Sequence, residues 1–311
     1  MRKIVVIILF FISISLTACV QRPFFDIQPA APRGSVSESL GTLIDDTVLK
    51  TDNFIVYFYE GGYLAAQSVV RHLENNFKFL MSLFNRYTIP QTRVLIHPTQ
   101  DEFDRMHHEF PGARGTAGRG RVSIISPFAY DSDHFYDWIM RIVINEFIHV
   151  IQMRHQIGWM RRYLFEGTAL FISGYSSLEM QRESRDFVVS GLRANDIPNY
   201  YMLTGLVDEF SSSEYFFGKR MIRYIVDNWG WAYVVALHHD QNFQRVLDIS
   251  NEEFHAQWIQ HLTWRYIYLV SIRIVIISTV ILILLIVLFF LLQRYFKRFT
   301  YLNNDYQVKN L

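Results

Sequence analysis

Between Thr51 and Ser126 the apolar positions fall in short runs, and from Asp137 onward they recur at helical spacing. Phe54-Ile55-Val56-Tyr57-Phe58-Tyr59 is rich in β-branched and aromatic residues and predicts a strand, ended by Gly61 and Gly62. Leu64 to Phe84 carries Leu73, Phe77, Leu80 and Phe84 on one helical face, the pattern of a core helix. Arg93 to His97 predicts a second strand, closed by Pro98; Gln100 to Glu109 predicts a short helix, and Val122 to Ser126 a third strand. Asp137 to His155 lacks Gly and Pro and is apolar over most of its circumference, as a buried helix is. Trp159 to Gly174, Tyr215 to Trp229, Trp231 to His238 and Asn251 to Tyr266 continue the helical pattern, whereas residues 175–213 carry no motif.

The two ends differ from this middle. Arg2 and Lys3 precede an apolar run from Ile4 to Leu16, the pattern of a signal peptide over residues 1–18. Leu16-Thr17-Ala18-Cys19 resembles the bacterial lipobox, which implies acylation of Cys19, the only cysteine in the chain. Residues 19–50 hold Pro23, Pro29, Pro32 and Gly34 and are expected to be a tether. Near the other end, Ile274 to Leu292 is an apolar run of bilayer-spanning length, interrupted only by Ser278 and Thr279, within an expected transmembrane helix at 272–292. Arg294, Lys297 and Arg298 follow it and place the tail, residues 293–311, in the cytoplasm. The expectation is a domain at 51–265 held outside a bacterial cell membrane, with membrane lipid as partner at both ends.

Composition narrows the chemistry. A chain of 311 residues supports a large core. A formal charge of +1 implies no polyanionic partner and no nucleic acid. A single cysteine excludes an internal disulfide and a thiolate metal cage. Gly112 to Gly120 (GARGTAGRG) has neither the lysine nor the spacing of a phosphate loop. His107 and His108 are neighbours on a helix and point in different directions, so they make a poor metal pair. Asp131, Asp133 and His134 read as a solvated turn starting the next helix, and His238, His239, His255 and His261 as surface or core histidines.

The polar residues inside the apolar helix carry the chemical signal. Asn145 and His149 lie four positions apart, one turn along the same face, and Glu146 sits between them. A buried carboxylate and imidazole are costly unless something satisfies them. The spacing is that of H-E-x-x-H, in which two histidines hold zinc and the glutamate acts as base, with Asn145 in the place of the first histidine. The same residues also read as a buried hydrogen-bonded cluster belonging to the fold.

The segments NEFIHVIQ and LFEGTALFIS together resemble the peptidase MA-like gluzincins, zinc metallopeptidases with H-E-x-x-H followed by E-G-x-A. The resemblance covers about residues 51–265. It implies an α+β, zincin-like domain: a small mixed β-sheet packed on the active-site helix, then a mainly helical C-terminal half, with one transmembrane helix after it. It further implies Glu146 as general base and His149 and Glu166 as metal ligands. Tyr215, in Y-F-F-G, matches the tyrosine with which related zinc aminopeptidases stabilise the oxyanion, and Val122 to Ser126 would be the edge along which an extended polypeptide adds. Asn145 departs from the pattern. An amide oxygen is a weak donor to zinc, so the implied cofactor, zinc, would be held loosely. Arg141, one turn earlier, is expected to pair with Glu146 or Glu166. The expected function is therefore a degenerate peptidase homologue that binds polypeptide; the alternative is an active zinc peptidase with Glu146 as base.

Overall fold

The computed structural model describes residues 27–33, 42–45, 47–85, 88–110, 112–155, 162–174 and 212–308. The expected signal peptide, Cys19 and residues 175–211 lie outside them. Three short strands open the fold: β1 (Thr42–Asp45), β2 (Val48–Lys50) and β3 (Phe54–Tyr57). Helix α1 (Tyr63–Leu83), strand β4 (Thr92–His97) and helix α2 (Gln100–Met106) follow. Then come β5 (Gly115–Gly118), β6 (Arg121–Ile125), α3 (Asp133–His155) and α4 (Arg162–Ser173). The rest is helical: α5 (Ser212–Asn228), α6 (Trp231–His239), α7 (Phe243–Leu247) and α8 (Asn251–Val308).

The sheet is mixed, in the order β1-β2-β3-β4-β6-β5. The β3–β4 and β4–β6 pairs are parallel, and β1–β2, β2–β3 and β5–β6 are antiparallel. Strand pleating sends alternate side chains to opposite faces. Phe54, Val56, Val94, Val122 and Ile124 are fully buried on the face covered by α1 and α3. There Phe54 meets Phe77 of α1 edge-on at 5.8 Å and Phe147 of α3 at 5.2 Å. On the opposite face the His97 ring meets Phe103 of α2, 5.4 Å between centroids. A second core joins Tyr163 and Leu164 of α4, Ile222 and Ile225 of α5, Leu237 of α6, Phe243 of α7, and Phe254 and Trp258 of α8. Trp231 links the two bodies by donating its indole N–H to the Leu83 carbonyl at 2.6 Å.

Two sequence expectations change. The folded body does not begin at Thr51. Val48–Lys50 pairs with β3, the Gln28 amide donates to Asn76 Oδ1 at 2.8 Å, and the Tyr136 hydroxyl donates to the Ala31 carbonyl at 3.0 Å. Backbone hydrogen bonds, which composition does not register, dock this proline-rich stretch. The outermost strand is also not Val122 to Ser126. That segment pairs on both sides, and the glycine-rich β5 forms the edge. Glycine weakens β propensity, which hid this strand in the sequence.

From Asn251 to Val308 the chain is one helix of 58 residues. It contains no Gly or Pro to interrupt it. Its first turns bury Phe254, Trp258 and Leu262 in the second core. Farther along, Val275–Tyr295 is long and apolar enough to cross a membrane, and none of it is buried against the rest of the protein.

Two core imidazoles are held neutral. Burial pushes His72 down to about 4, against a hydrogen bond with the backbone of Met140. Burial, helped by the charge of His239, pushes His238 down to about 3, and its Nε2 lies 3.1 Å from Thr168 Oγ1. In the unfolded chain both rings take up protons near pH 6.5. The unfolded state therefore binds more protons between about pH 4 and 6.5, and stability rises with pH across that window. Both contributions are fully present above pH 6.5 and are lost on acidification. The expected result is a melting temperature that falls from pH 6.5 to 4, with a shallower slope in His72→Gln, followed by circular dichroism of the full chain at fixed ionic strength. A slope that His72→Gln leaves unchanged would show that the folded protein protonates that ring freely.

Candidate functional site

Helix α3 places Asn145, His149 and Gln152 on one face, at the i, i+4 and i+7 positions, and all three are buried. Helix α4 lies against this face. Its second turn brings the Glu166 carboxylate to His149, with Nε2 and Oε2 3.3 Å apart. The Phe165 ring stacks on the imidazole, 4.2 Å between centroids and 20° between planes. His149, Glu166 and Glu146, placed together from sequence, are together in the structure.

What presses α4 into position is a backbone contact. A Cβ at Gly167 would stand 2.5 Å from the carbonyl carbon of Gly218 on α5, and one at Gly218 would stand 3.0 Å from the Tyr163 carbonyl oxygen. Only hydrogen at both positions permits this approach. The glycine of E-G and that of Y-F-F-G thus form one crossing point. Tyr215 lies one turn before Gly218 on α5, and its side chain is outside the described residues.

Gln152 is the residue that the motif did not disclose. Its Nε2 donates to the Phe165 carbonyl at 3.0 Å, which turns its Oε1 toward His149 Nδ1 at 2.9 Å. This acceptor holds the proton on Nδ1 and leaves Nε2 to face Glu166. The signal was present as a polar residue at the i+3 position from His149 in an otherwise apolar helix. Gly115 of β5 was also missed. A Cβ there would stand 2.6 Å from Ile142 Cγ2 and 3.0 Å from Glu146 Cγ, so the edge strand lies flush on α3 beside the carboxylate.

The charges follow from this enclosure. Burial pushes the Glu146 carboxyl up to about 7; the His149 charge opposes the rise and Glu166 adds to it. For His149, burial works against the imidazolium. The charge and hydrogen bond of Glu166, with smaller contributions from Glu146 and Gln152, outweigh it and hold the ring at about 9. At neutral pH the centre is a protonated imidazole paired with one carboxylate beside a second that is partly protonated. Arg141 does not join it. Its Nη1 donates to the Gly174 carbonyl at 3.2 Å instead, the αL turn of Gly174 presenting that oxygen. Asp131, expected in a solvated turn, pairs with Arg33.

Asn145 gives the test of a metal centre. Its Nδ2 is buried and has no hydrogen-bond partner among the described residues. Leaving such a donor unmet costs about 1–3 kcal/mol. Among the described residues no three His, Cys, Asp or Glu side chains group closely enough to share an ion. The strong donors, His149 and Glu166, are bonded to each other, and the third position offers an amide. This set does not fit the three strong ligands of a catalytic zinc site.

No protein-family model matches the chain, and a search of curated proteins returns no match.

Two expected outcomes test this arrangement. Replacing Glu166 by Gln removes the charge that holds the His149 proton, so the His149 titration should move well below 9, read by NMR of labelled imidazole. An unmoved titration would break the pair. Gly218→Ala should lower stability by about 1–3 kcal/mol through overpacking. At an unconstrained helical position the same change stabilises by about 1 kcal/mol, so the sign of the shift in denaturation midpoint decides.

Proposed function

We propose that this chain is a membrane-anchored, extracytoplasmic homologue of the gluzincin metallopeptidases that has lost the catalytic metal and keeps the groove as a polypeptide-binding site. The observation that carries the reading is the His149–Glu166 pair, closed at 3.3 Å beside a buried amide where a third strong ligand would stand. Two donors that satisfy each other leave little reason for a cation to bind. Glu146, a base in the family's chemistry, becomes a buried carboxyl poised near neutrality.

The groove is supported by the edge strand. β5 is the outer strand of the sheet, and its residues Gly115-Thr116-Ala117-Gly118 are small. An extended segment can pair with its free backbone groups while its own side chains meet little obstruction. The orphaned Asn145 Nδ2 is a buried donor on the helix against which β5 packs. Acylation of Cys19 and insertion of Val275–Tyr295 would hold both ends of the body to one bilayer, with the tail on the cytoplasmic side.

The test is metal and peptide binding on the purified full chain in detergent. Zinc is expected well below one equivalent after dialysis, and peptide bonds should remain uncut. Asn145→His restores an imidazole at the ligand position and should raise zinc affinity by about a hundredfold or more, since even outer-shell changes move it by 10–100-fold. A chemically unfolded, carboxymethylated protein should slow hydrogen exchange at Gly115 to Gly118. One equivalent of zinc in the natural chain, with cleavage abolished by Glu146→Gln, would overturn the proposal in favour of an active zinc peptidase.

A further inference from the structure

Arg93 and Arg121 are register partners on the parallel strands β4 and β6. Partners in register lie roughly 5 Å apart and send their side chains to the same face. Like charges so placed repel. Both side chains are exposed, on the face opposite to the one packed on α3. Arg119, in the tight turn joining β5 to β6, and Arg154, in the last turn of α3, approach the same spot. With Gln91, Gly118 and Gly120, these four arginines line one hollow of about 600 Å³. No carboxylate is among its lining residues.

The hollow has a built wall. Arg154 reaches across the start of β4, donating to the Pro90 carbonyl and, at 3.2 Å, to the Gln91 carbonyl. Gly120 allows that reach: its φ is +83°, and a Cβ there would stand 2.5 Å from Arg154 Nη2. At Gly118 a Cβ would meet nothing within 4 Å, so this side is open backbone. The guanidinium groups of Arg93, Arg119 and Arg121 make no ion pair with any described residue.

Four cations gathered without a counter-charge among the described residues make a site suited to an anion. A guanidinium presents paired N–H donors that match the oxygens of a phosphate. A single carboxylate would offset only one of the four charges, whereas a diphosphate offsets two or more. Arg154 also lies apart from the Asn145 centre: it follows His149 by five residues on α3 and so projects from a different face of the helix.

We propose that the Arg93–Arg119–Arg121–Arg154 hollow binds a phosphate-bearing polyanion, either a soluble diphosphate or the two-phosphate headgroup of a cardiolipin-type lipid. The site stands independently of the peptidase reading, since it shares only the Gly118 backbone with the edge strand and none of its arginines belongs to the Asn145 centre.

The test uses the full chain in phosphatidylcholine nanodiscs, titrated calorimetrically with inorganic pyrophosphate. One saturable site is expected, weakened at least about tenfold by Arg119→Ala combined with Arg121→Ala, and weakened by added sodium chloride. Both residues are exposed, and a melting curve confirms the fold of the double variant. If it does not fold, Arg93→Gln takes its place. Repeating the titration in discs containing cardiolipin separates the sources. Pyrophosphate binding suppressed by the acidic lipid assigns the site to headgroups, and unchanged binding assigns it to a soluble phosphate. Absence of saturation in neutral discs, or saturation that the arginine variants leave unchanged, overturns the proposal.

Discussion

The contact on which the site depends is the meeting of two backbones at Gly167 and Gly218. Helices that carry ordinary side chains at their crossing stand 8–10 Å apart, and hydrogen-only positions let them close further. The contact fixes α4 against α5, and through α4 it sets the height of Glu166 over α3. A shift by one methyl group's thickness would lengthen a 3.3 Å ion pair beyond useful range. Gln152 completes the restraint from the other side, since one amide fixes both the His149 ring and the chain at Phe165. The polar centre is thus held by packing above it and by a hydrogen bond beneath it.

This geometry explains how ionisable side chains can persist in a folded core. A buried charge needs a partner, and a paired imidazolium and carboxylate supply each other. Among the described residues the asparagine leaves one buried N–H unmet.

The helices were legible in the sequence because their apolar periodicity is strong, and α1, α3 and α5 lie close to where the spacing puts them. The convergence of His149 and Glu166 followed from motif order. The site's supports were not legible. Gln152 looks like any polar interruption until its two hydrogen bonds are seen, and Gly115 and Gly118 have no side chain to betray a strand. Net charge is silent in the same way: a sum of +1 does not show that four arginines line one hollow, because a total carries no positions.

The unbroken α8 has a mechanical consequence. A helix of 58 residues extends about 87 Å. Its root is clamped by Phe254 and Trp258 in the second core, and no swivel separates that root from the apolar stretch. With Val275–Tyr295 in a bilayer, the folded body would behave as the head of a rigid mast. Tilt or rotation of the buried segment would pass undamped into the head, fixing its altitude and heading above the lipid surface.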